Sequence, residues 1–278
     1  MKKMKKLLAA CLALAMMCTI FTACGDAGNK DASAETGDES SRTKLVVGFD
    51  AEYPPYGYMD ENGEYVGFDL DLAAEVCKRN GWELVKTPID WDAKDMELNG
   101  GSIDCIWNGF TMNGREDDYT FSDPYVDNSQ VIIVKTDSGI TDLAGLSGKT
   151  VLVQADSAAL AALEGDDLKD VTATFAELTQ VAAYNSALMT LESGAADAVA
   201  LDAVVANYYI QDKADTFTIL SQELSKEQYA IGFKKGNTSL KDAVQKTLYE
   251  MVSDGTFKTI AEKWDQQDVI CLTAPATE

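Results

Sequence analysis

From Lys44 onward, short apolar runs alternate with stretches in which apolar residues recur at helical spacing. This alternation predicts an α/β fold built from mostly parallel sheets with helices on both faces. The runs typical of strands are 44–50, 82–88, 102–109, 131–134, 150–154, 171–175, 196–202 and 229–235. The patterns typical of helices are 69–81, 92–98, 157–163, 178–193, 203–213, 239–253 and 256–265.

A polar segment at residues 135–142 interrupts this series and separates two groups of alternating elements. A single domain is one interpretation, but the break favours two smaller lobes. Ligands of open α/β sheets bind beyond the carboxyl ends of the strands. Two facing lobes would therefore hold a ligand in the cleft between them.

The N-terminal segment has a different pattern. Four lysines precede an apolar run from Leu7 to Phe21, which is shorter than the roughly 20 residues that a transmembrane helix needs. It is typical of a secretory signal. The run ends at Phe21-Thr22-Ala23-Cys24, which resembles a bacterial lipobox, so we expect removal of residues 1–23 and lipidation of Cys24. An ordinary signal peptide that contains Cys24 is the alternative.

Residues 24–43 follow as an expected flexible tether. Residues 25–44 contain no Val, Ile, Leu, Met or aromatic residue, so they bury too little surface to offset their conformational entropy. Of the six cysteines, three then remain in the folded part, which allows at most one disulfide. Cys77 and Cys105 lie on predicted apolar faces and are expected to be core residues, while Cys271 begins a tail at 271–278.

Composition excludes several classes of function. The chain has no histidine, so Ser-His-Asp and Cys-His catalytic pairs and imidazole zinc sites are absent. It has 46 acidic against 23 basic residues, and a formal charge of -23 argues against nucleic-acid binding. We expect no metal, no cofactor and no nucleic-acid partner.

Candidate chemistry lies at the ends of predicted strands. Asp50 ends the first strand and precedes an aromatic loop whose tyrosines either cover the domain edge or pack over a ligand. Arg115 follows the strand SIDCIWNG within an acidic neighbourhood. A guanidinium binds a carboxylate through two hydrogen bonds and keeps its charge, although a surface salt bridge with Asp117, Asp118 or Asp123 is the simpler alternative.

Three segments then identify a family resemblance: YPPYGYMDENGEYVGFDLDLAAEV, GGSIDCIWNGFTMNGREDDYTFSDPY and SGAADAVALDAVVANYY. Over roughly 44–268 the chain resembles the extracellular solute-binding proteins of amino-acid ABC transporters, family 3. The resemblance implies a two-lobed, type II periplasmic-binding-protein-like fold. Lobe 1 would comprise 44–134 plus 231–270, lobe 2 would comprise 135–230, and two hinge strands near 131–136 and 229–235 would join them.

The resemblance also implies roles for individual residues. Arg115, assisted by Thr111, would bind the ligand's carboxylate, while Asp202 and the Gly109 carbonyl would bind its amino group. The second lobe's carboxylate-binding turn falls at Asp156-Ser157, at a helix start, where the family usually has Gly-Thr or similar residues. Thr111 and Arg115 are four residues apart rather than the five common in the family. The residues expected around the ligand's side chain are Tyr53, Tyr56, Trp91, Asn108 and Asp50.

The expected function is therefore a monomeric receptor that captures a polar or basic amino acid, of the lysine, arginine, glutamine or cystine class. It would deliver this ligand to ABC permease subunits and their ATPase while held by its lipid anchor at the outer face of the cell membrane. No catalytic residue is expected. The alternatives are a dehydratase-like enzyme using Asp50 and Asp202 as acid and base, and a ligand-sensing module that signals through a partner.

Overall fold

The structure, a computed structural model, describes residues 39–275. Its strands are β1 Lys44–Phe49, β2 Glu52–Tyr53, β3 Gly57–Met59, β4 Tyr65–Val66, β5 Glu83–Pro88, β6 Cys105–Ile106, β7 Tyr119–Phe121, β8 Val126–Lys135, β9 Thr150–Gln154, β10 Glu177–Val181, β11 Ala198–Asp202, β12 Phe217–Ile219, β13 Ser225–Tyr229 and β14 Gly232–Lys234. Its α-helices are α1 Phe68–Asn80, α2 Lys94–Gly100, α3 Ala158–Glu164, α4 Lys169–Thr172, α5 Tyr184–Ser193, α6 Ala203–Ile210, α7 Thr238–Ser253 and α8 Thr256–Lys263.

These strands form two main sheets and a small one. The first sheet has the order β5-β1-β6-β14-β7, and the second has the order β10-β9-β11-β8-β12, with β13 also pairing with β8. The small sheet is β2-β3-β4. Within the first sheet β1 is parallel to β5 and β6, whereas β14 is antiparallel to both its neighbours. The α/β prediction is confirmed, but the sheets are mixed rather than mostly parallel.

The chain changes sheet twice. It leaves the first sheet after Phe121 and enters the second at Val126, and it returns between Tyr229 and Gly232. The first crossing comes earlier than the boundary at residue 134 and the hinge near 131–136 that the sequence suggests. The reason is that only the second half of β8 is a buried apolar run, while its first half, VDNSQ, is largely polar.

One predicted strand and one predicted helix are wrong. The sequence pattern predicts a strand at 171–175, but α4 ends within this segment. The strand is instead β10, which overlaps the start of the predicted helix 178–193, so that α5 starts only at Tyr184 and ends at Ser193 as predicted. Because β10 lies at the edge of its sheet and is at most half-buried, its apolar signal is weak.

The end of the expected tether is ordered. Glu39–Ser41 form a 3₁₀ turn, and Arg42 makes ion pairs with Glu39 and Asp104 and lies 5.9 Å from the ring centre of Trp82. The prediction of flexibility over 24–43 is therefore wrong for residues 39–43, because these charges find partners on the folded part. The predicted signal peptide, Cys24 and the rest of the tether lie outside the described residues.

The three cysteines of the described region are free. Cys77 and Cys105 are buried among apolar side chains, which confirms them as core residues, and Cys271 is half-buried. The described start of the tail packs on the fold, since the Cys271 N–H donates to the Tyr125 carbonyl at 3.1 Å. Within residues 39–275, no helix has the length and apolarity to cross a membrane.

Gly67 provides a test of the packing that leads into α1. Its φ is 149°, and a Cβ there would lie 2.1 Å from the Tyr56 carbonyl oxygen, so the backbone would have to move. We predict that Gly67→Ala lowers the free energy of unfolding by about 3 kcal/mol or more, measured by urea denaturation. At Gly100 a Cβ would meet nothing within 4 Å, so Gly100→Ala should change stability by less than about 1 kcal/mol. Equal effects of the two variants would contradict this account.

Candidate functional site

A cavity of ≈ 380 Å³ lies between the loop that follows β6 and the turn that follows β9. Its volume is within the range of roughly 300–1,000 Å³ for small-molecule sites. One wall comes from the loop at 111–115, the opposite wall from residues 156–164, and the end from β13. The residues that line it are Thr111, Asn113, Gly114, Arg115, Asp156, Ser157, Ala158, Leu160, Ala161, Ala162, Glu164, Ser225, Lys226 and Glu227.

Arg115 supplies a cation to this cavity. Its guanidinium donates to the Thr111 carbonyl at 3.1 Å and to the Asp156 carbonyl at 3.3 Å, and it lies 5.1 Å from the ring centre of Phe110. Among the described residues it forms no salt bridge, so the surface ion pairs considered for it are not present. Two backbone carbonyls orient the guanidinium while leaving its charge without a carboxylate partner, as a site for an anionic group requires.

The turn at Asp156-Ser157 faces Arg115. The Ser157 hydroxyl oxygen accepts the Leu160 N–H at 3.1 Å and so caps α3. Asp156 adopts a left-handed conformation with φ 54°, and its carboxylate pairs with Lys94, whose side chain is only 1% exposed. Burial lowers the pKa of Lys94, and the Asp156 carboxylate opposes this shift.

Lys94 is thus the partner of the aspartate at this turn, where the resemblance noted above predicts a glycine. Its ammonium also lies 5.2 Å from the ring centre of Trp91. Lys94 belongs to α2, which packs on the first sheet, whereas Asp156 follows β9 of the second sheet. The ion pair therefore joins the two walls of the cleft. Sequence reasoning missed Lys94 because a lysine at a helix start gives no sign of burial.

Asp202, at the end of β11, is held by neutral donors. Its Oδ1 accepts from Gln130 Nε2 at 2.6 Å, from the Tyr229 hydroxyl at 2.6 Å and from Asn128 Nδ2 at 3.0 Å. Its Oδ2 accepts from the Tyr184 hydroxyl at 3.2 Å. Asp202 is 5% exposed. A buried carboxylate with several hydrogen bonds and no cation is prepared to bind one.

A second buried carboxylate, Glu227, lies beside Asp202 and was not anticipated from the sequence. Its Oε1 accepts from Asn128 Nδ2 at 2.6 Å and from Gln130 Nε2 at 2.7 Å, so the same two amides bind both acids. Burial first, and then the charge of Asp202, raise the pKa of Glu227 to about 8. Glu227 sits among polar residues of β13, where a sequence pattern offers no signal that it faces the cavity.

Asp50 and Trp91 lie at a neighbouring opening of ≈ 520 Å³, which Glu52 and Asp90 also line. The Asp50 carboxylate accepts from Gln154 Nε2 at 2.7 Å and from the Glu52 N–H at 2.8 Å. Burial raises its pKa against the effect of these hydrogen bonds. Since Gln154 ends β9, this contact also connects the two sides of the cleft, and the acidic opening suits a cationic group.

Two of the expected aromatic residues have different surroundings. The Tyr53 hydroxyl lies 2.9 Å from that of Tyr229, which places Tyr53 beside the Asp202 cluster. Tyr56 is fully buried, and its hydroxyl donates to Gln266 Oε1 at 2.8 Å. It packs edge-on against Tyr229 at 5.4 Å, so it supports the Asp202 cluster from behind. This position argues against a direct contact of Tyr56 with a ligand.

Gly109 and Asn108 are held from the core side. Asn108 accepts the Asp50 N–H at 2.9 Å, and it is 1% exposed. Gly109 has φ 57°, and its N–H donates to Asp69 Oδ2 at 2.6 Å. A Cβ at Gly109 would lie 2.8 Å from the Tyr53 ring, so a side chain there would disturb the cluster. The same Asp69 oxygen accepts from the Tyr125 hydroxyl at 2.8 Å.

The structure therefore places five of the ten predicted site residues at the two cavities, while Asp202, Tyr53, Tyr56, Asn108 and Gly109 line neither of them. Arg115, Thr111 and Ser157 face one cavity, and Asp50 and Trp91 face the other. Across the described part of the chain, no group of three or more cysteine, aspartate or glutamate side chains is arranged to hold a metal ion.

Asp69 gives a pH-dependent test of how the Gly109 loop is held. Burial raises the pKa of this fully buried carboxyl from its ordinary value to about 7. The folded protein therefore retains its proton more strongly than the unfolded chain, and Asp69 should make stability fall as pH rises between about 4 and about 7. We predict that Asp69→Asn reduces this fall, measured by thermal unfolding of the ligand-free protein across that range. An unchanged pH dependence would show that Asp69 is ionised in the fold.

Comparison with known proteins agrees with this architecture. The sequence model of the bacterial extracellular solute-binding proteins, family 3, matches residues 45–267. The arginine-binding extracellular protein ArtP of Bacillus subtilis (strain 168) is 32% identical over 262 residues, which are 93% of this chain and 95% of ArtP. The L-cystine-binding protein TcyA of the same organism is 31% identical over 278 residues, covering 96% of this chain and 99% of TcyA.

Solved structures extend the comparison to the fold. The crystal structure of an ABC uptake transporter substrate binding protein from Streptococcus pneumoniae with bound histidine has a TM-score of 0.78 and 34% sequence identity. The match covers 82% of this chain and 95% of that chain. The two main sheets described above are thus the two lobes of a type II periplasmic binding protein. By sequence and by fold, the chain belongs to the bacterial extracellular solute-binding proteins of family 3.

Proposed function

We propose that this protein is the extracytoplasmic receptor of an amino-acid ABC importer. The observation that carries the proposal is the distribution of charge in one cavity. Arg115, without a carboxylate partner, faces it from one side, and the buried acid Glu227 faces it from β13, with Asp202 attached through shared amides. A zwitterion has the complementary arrangement, with a carboxylate and an ammonium group a few bonds apart.

The proposed binding mode follows from this arrangement. The ligand's carboxylate binds the Arg115 guanidinium and the hydroxyl of Ser157, which can donate while its oxygen caps α3. The ligand's ammonium group binds Asp202 beside the Gly109 loop. Recognition at both ends is independent of the ligand's side chain, so the rest of the cleft determines which amino acid is preferred.

The proposed ligand class is polar or basic: lysine, arginine, glutamine or cystine. The support is the opening lined by Asp50, Glu52, Asp90 and Trp91, which combines acidic groups with an aromatic surface. A cationic side chain would gain both a charge-assisted hydrogen bond and a cation–π contact there. ArtP and TcyA, whose names specify arginine and L-cystine, are relatives of similar overall identity.

Closure of the two lobes over the ligand is the proposed mechanism of retention. Asp50–Gln154 and Lys94–Asp156 already connect the lobes in this structure. Two crossings, one between Phe121 and Val126 and one between Tyr229 and Gly232, would allow the lobes to separate. A ligand favours the closed form to the extent that it binds that form more tightly.

Anchoring and delivery complete the proposal. The lipobox-like segment ending at Cys24 supports a lipid anchor at the outer face of the cell membrane, and family membership supports delivery to a permease. We propose a monomer without enzymatic activity. In support, the relatives ArtP and TcyA are both named as binding proteins.

The first test removes each charged end of the site. We predict that Arg115→Ala and Asp202→Asn each weaken binding of the preferred amino acid by at least about 30-fold. Arg115→Ala removes the cation opposite the ligand's carboxylate, and Asp202→Asn removes one of the two buried carboxylates near its ammonium group, each at a cost of roughly 2–5 kcal/mol. A thermal-shift screen of the twenty amino acids with cystine and ornithine identifies that ligand, and calorimetry gives its affinity.

Arg79→Ala is the matched control for Arg115→Ala. Arg79 lies on α1 and pairs with Glu75 of the same helix and with Asp254 at the end of α7, and it lines neither cavity of the cleft, so this variant should retain full binding. Absence of a thermal shift with every compound in the screen, or consumption of a compound during incubation, would contradict the receptor proposal. Unchanged affinity in both cleft variants would contradict the assignment of the site.

The second test concerns the ligand's side chain. We predict that Asp50→Asn weakens L-arginine binding by roughly ten- to a hundred-fold, equivalent to about 1–3 kcal/mol, while L-glutamine binding changes much less. The amide retains an acceptor for Gln154 but removes the charge that a guanidinium would meet. Competition calorimetry with both ligands gives the ratio. An equal loss for both would place Asp50 in closure rather than in ligand selection.

A further inference from the structure

The acidic pair Asp202 and Glu227 has a geometry that the binding of one ammonium group does not by itself explain. Asp202 ends β11 and Glu227 lies in β13, and these two strands pair with opposite sides of β8. Each acid is 5% exposed. Gln130 Nε2 donates to both, at 2.6 Å and 2.7 Å, and Asn128 Nδ2 also reaches both. Because the same nitrogens bind both acids, their carboxyl oxygens are held close together.

No cation of the described chain compensates this pair. Neither Asp202 nor Glu227 forms a salt bridge among residues 39–275. The groups that contact the pair from β8, α5, β2 and β13 are neutral amides and phenols. The titratable and charged groups around it are Tyr53, Tyr184 and Tyr229 at the pair, and Arg115, Asp156, Glu164 and Lys226 along the cavity.

Two adjacent carboxylates without a cation do not both ionise readily, and a shared proton is the usual result. The pKa of Glu227, raised to about 8 by burial and by the charge of Asp202, has the direction that this arrangement requires. The phenol pKa values of Tyr184 and Tyr229 are raised well above 10, by burial and then by Asp202, so these hydroxyls keep their protons. The tyrosines act as donors to the pair.

A second observation concerns Gln130, the amide that donates to both acids. Gln130 is fully buried, and its Oε1 has no hydrogen-bond partner among the described atoms, because its Nε2 is directed at the two acids. A buried acceptor without a donor is uncommon in folded proteins. An ammonium group carries three donors, which suits a pair of adjacent acids.

We infer that Asp202 and Glu227 share one proton in the ligand-free protein and that the ammonium group of the ligand replaces it, so that binding releases a proton to solvent. This inference rests on the proposed function, since it requires a ligand with an ammonium group. Glu227 then affects affinity, because it shares the proton in the ligand-free protein and is ionised when the ligand's ammonium group is bound. Binding becomes tighter as pH rises toward neutrality, because less work is needed to remove the proton.

Calorimetry in two buffers measures the proton directly. Titrations with L-arginine, L-lysine, L-glutamine and L-cystine at about pH 7, in phosphate and in Tris, give the number of protons released from the difference in apparent enthalpy. The wild-type protein should release between about 0.5 and 1 proton, and its affinity should rise up to about ten-fold per pH unit between about pH 6 and about pH 7.

Glu227→Gln is the informative variant, because it preserves the shape of the side chain and removes the proton that would be shared. It should bind with no proton release and with an affinity that does not depend on pH over this range. Glu177→Gln is the matched control, since Glu177 is an exposed acid on the edge strand β10 and lines neither cavity of the cleft, and it should behave like the wild type. Binding without proton release by the wild type, or equal release by Glu227→Gln, would overturn the inference while leaving the receptor function intact.

A measurement on the ligand-free protein separates this inference from the proposed function. Carbon NMR of the side-chain carboxyl groups should show one glutamate that titrates near neutral pH and is absent from Glu227→Gln. The shared proton is overturned, whether or not any amino acid binds, if neither the Glu227 nor the Asp202 carboxyl carbon titrates in the neutral range. Conversely, a neutral-range titration without binding of any tested amino acid would contradict the receptor proposal alone.

Discussion

The placement of Asp202 is the constraint on which the rest of the cleft depends. A carboxylate buried without a cation is costly unless hydrogen bonds satisfy it, and here Gln130, Asn128, Tyr184 and Tyr229 all do so. These donors come from β8, β13 and the start of α5, so the second sheet must keep its register for the cluster to exist. The acid therefore ties the geometry of the binding site to the strands at which the chain changes lobe.

Two polar contacts also join the lobes across the cleft. Asp50 of the first lobe binds Gln154 of the second, and Lys94 binds Asp156. Asp50, Gln154 and Lys94 are buried, whereas the Asp156 side chain is 54% exposed, so low polarity strengthens the Asp50–Gln154 contact more than the Lys94–Asp156 pair. Asp156 adopts an unusual left-handed backbone conformation in this contact. The departure from the family's glycine is thereby connected to closure, because glycine could adopt the same backbone but could not bind Lys94.

Much of the fold was predictable because buried faces of helices and strands require apolar residues at regular spacing in the sequence. The helices α1, α7 and α8 lie within one or two residues of their predicted bounds, since each has one apolar face. The edge strand β10 and the polar half of β8 left no such trace, and their bounds were missed. Likewise, the last residues of the expected tether are ordered through Arg42 and its partners, which are contacts that composition does not reveal.

The site, like the fold, has some properties that the sequence predicts and others that depend on tertiary contacts. The sequence by itself determined the α/β class and the absence of histidine chemistry, and through the resemblance of three segments it predicted Arg115 and Asp202 as ligand-binding residues. These properties depend on residue type and local order. Only the tertiary structure decided that Tyr56 lies behind the cluster, that Lys94 is buried against Asp156, and that Glu227 lies beside Asp202. Each of these depends on the proximity of residues far apart in the chain, and the pairing of β13 with β8 decides which polar side chain of a short strand turns toward the cleft.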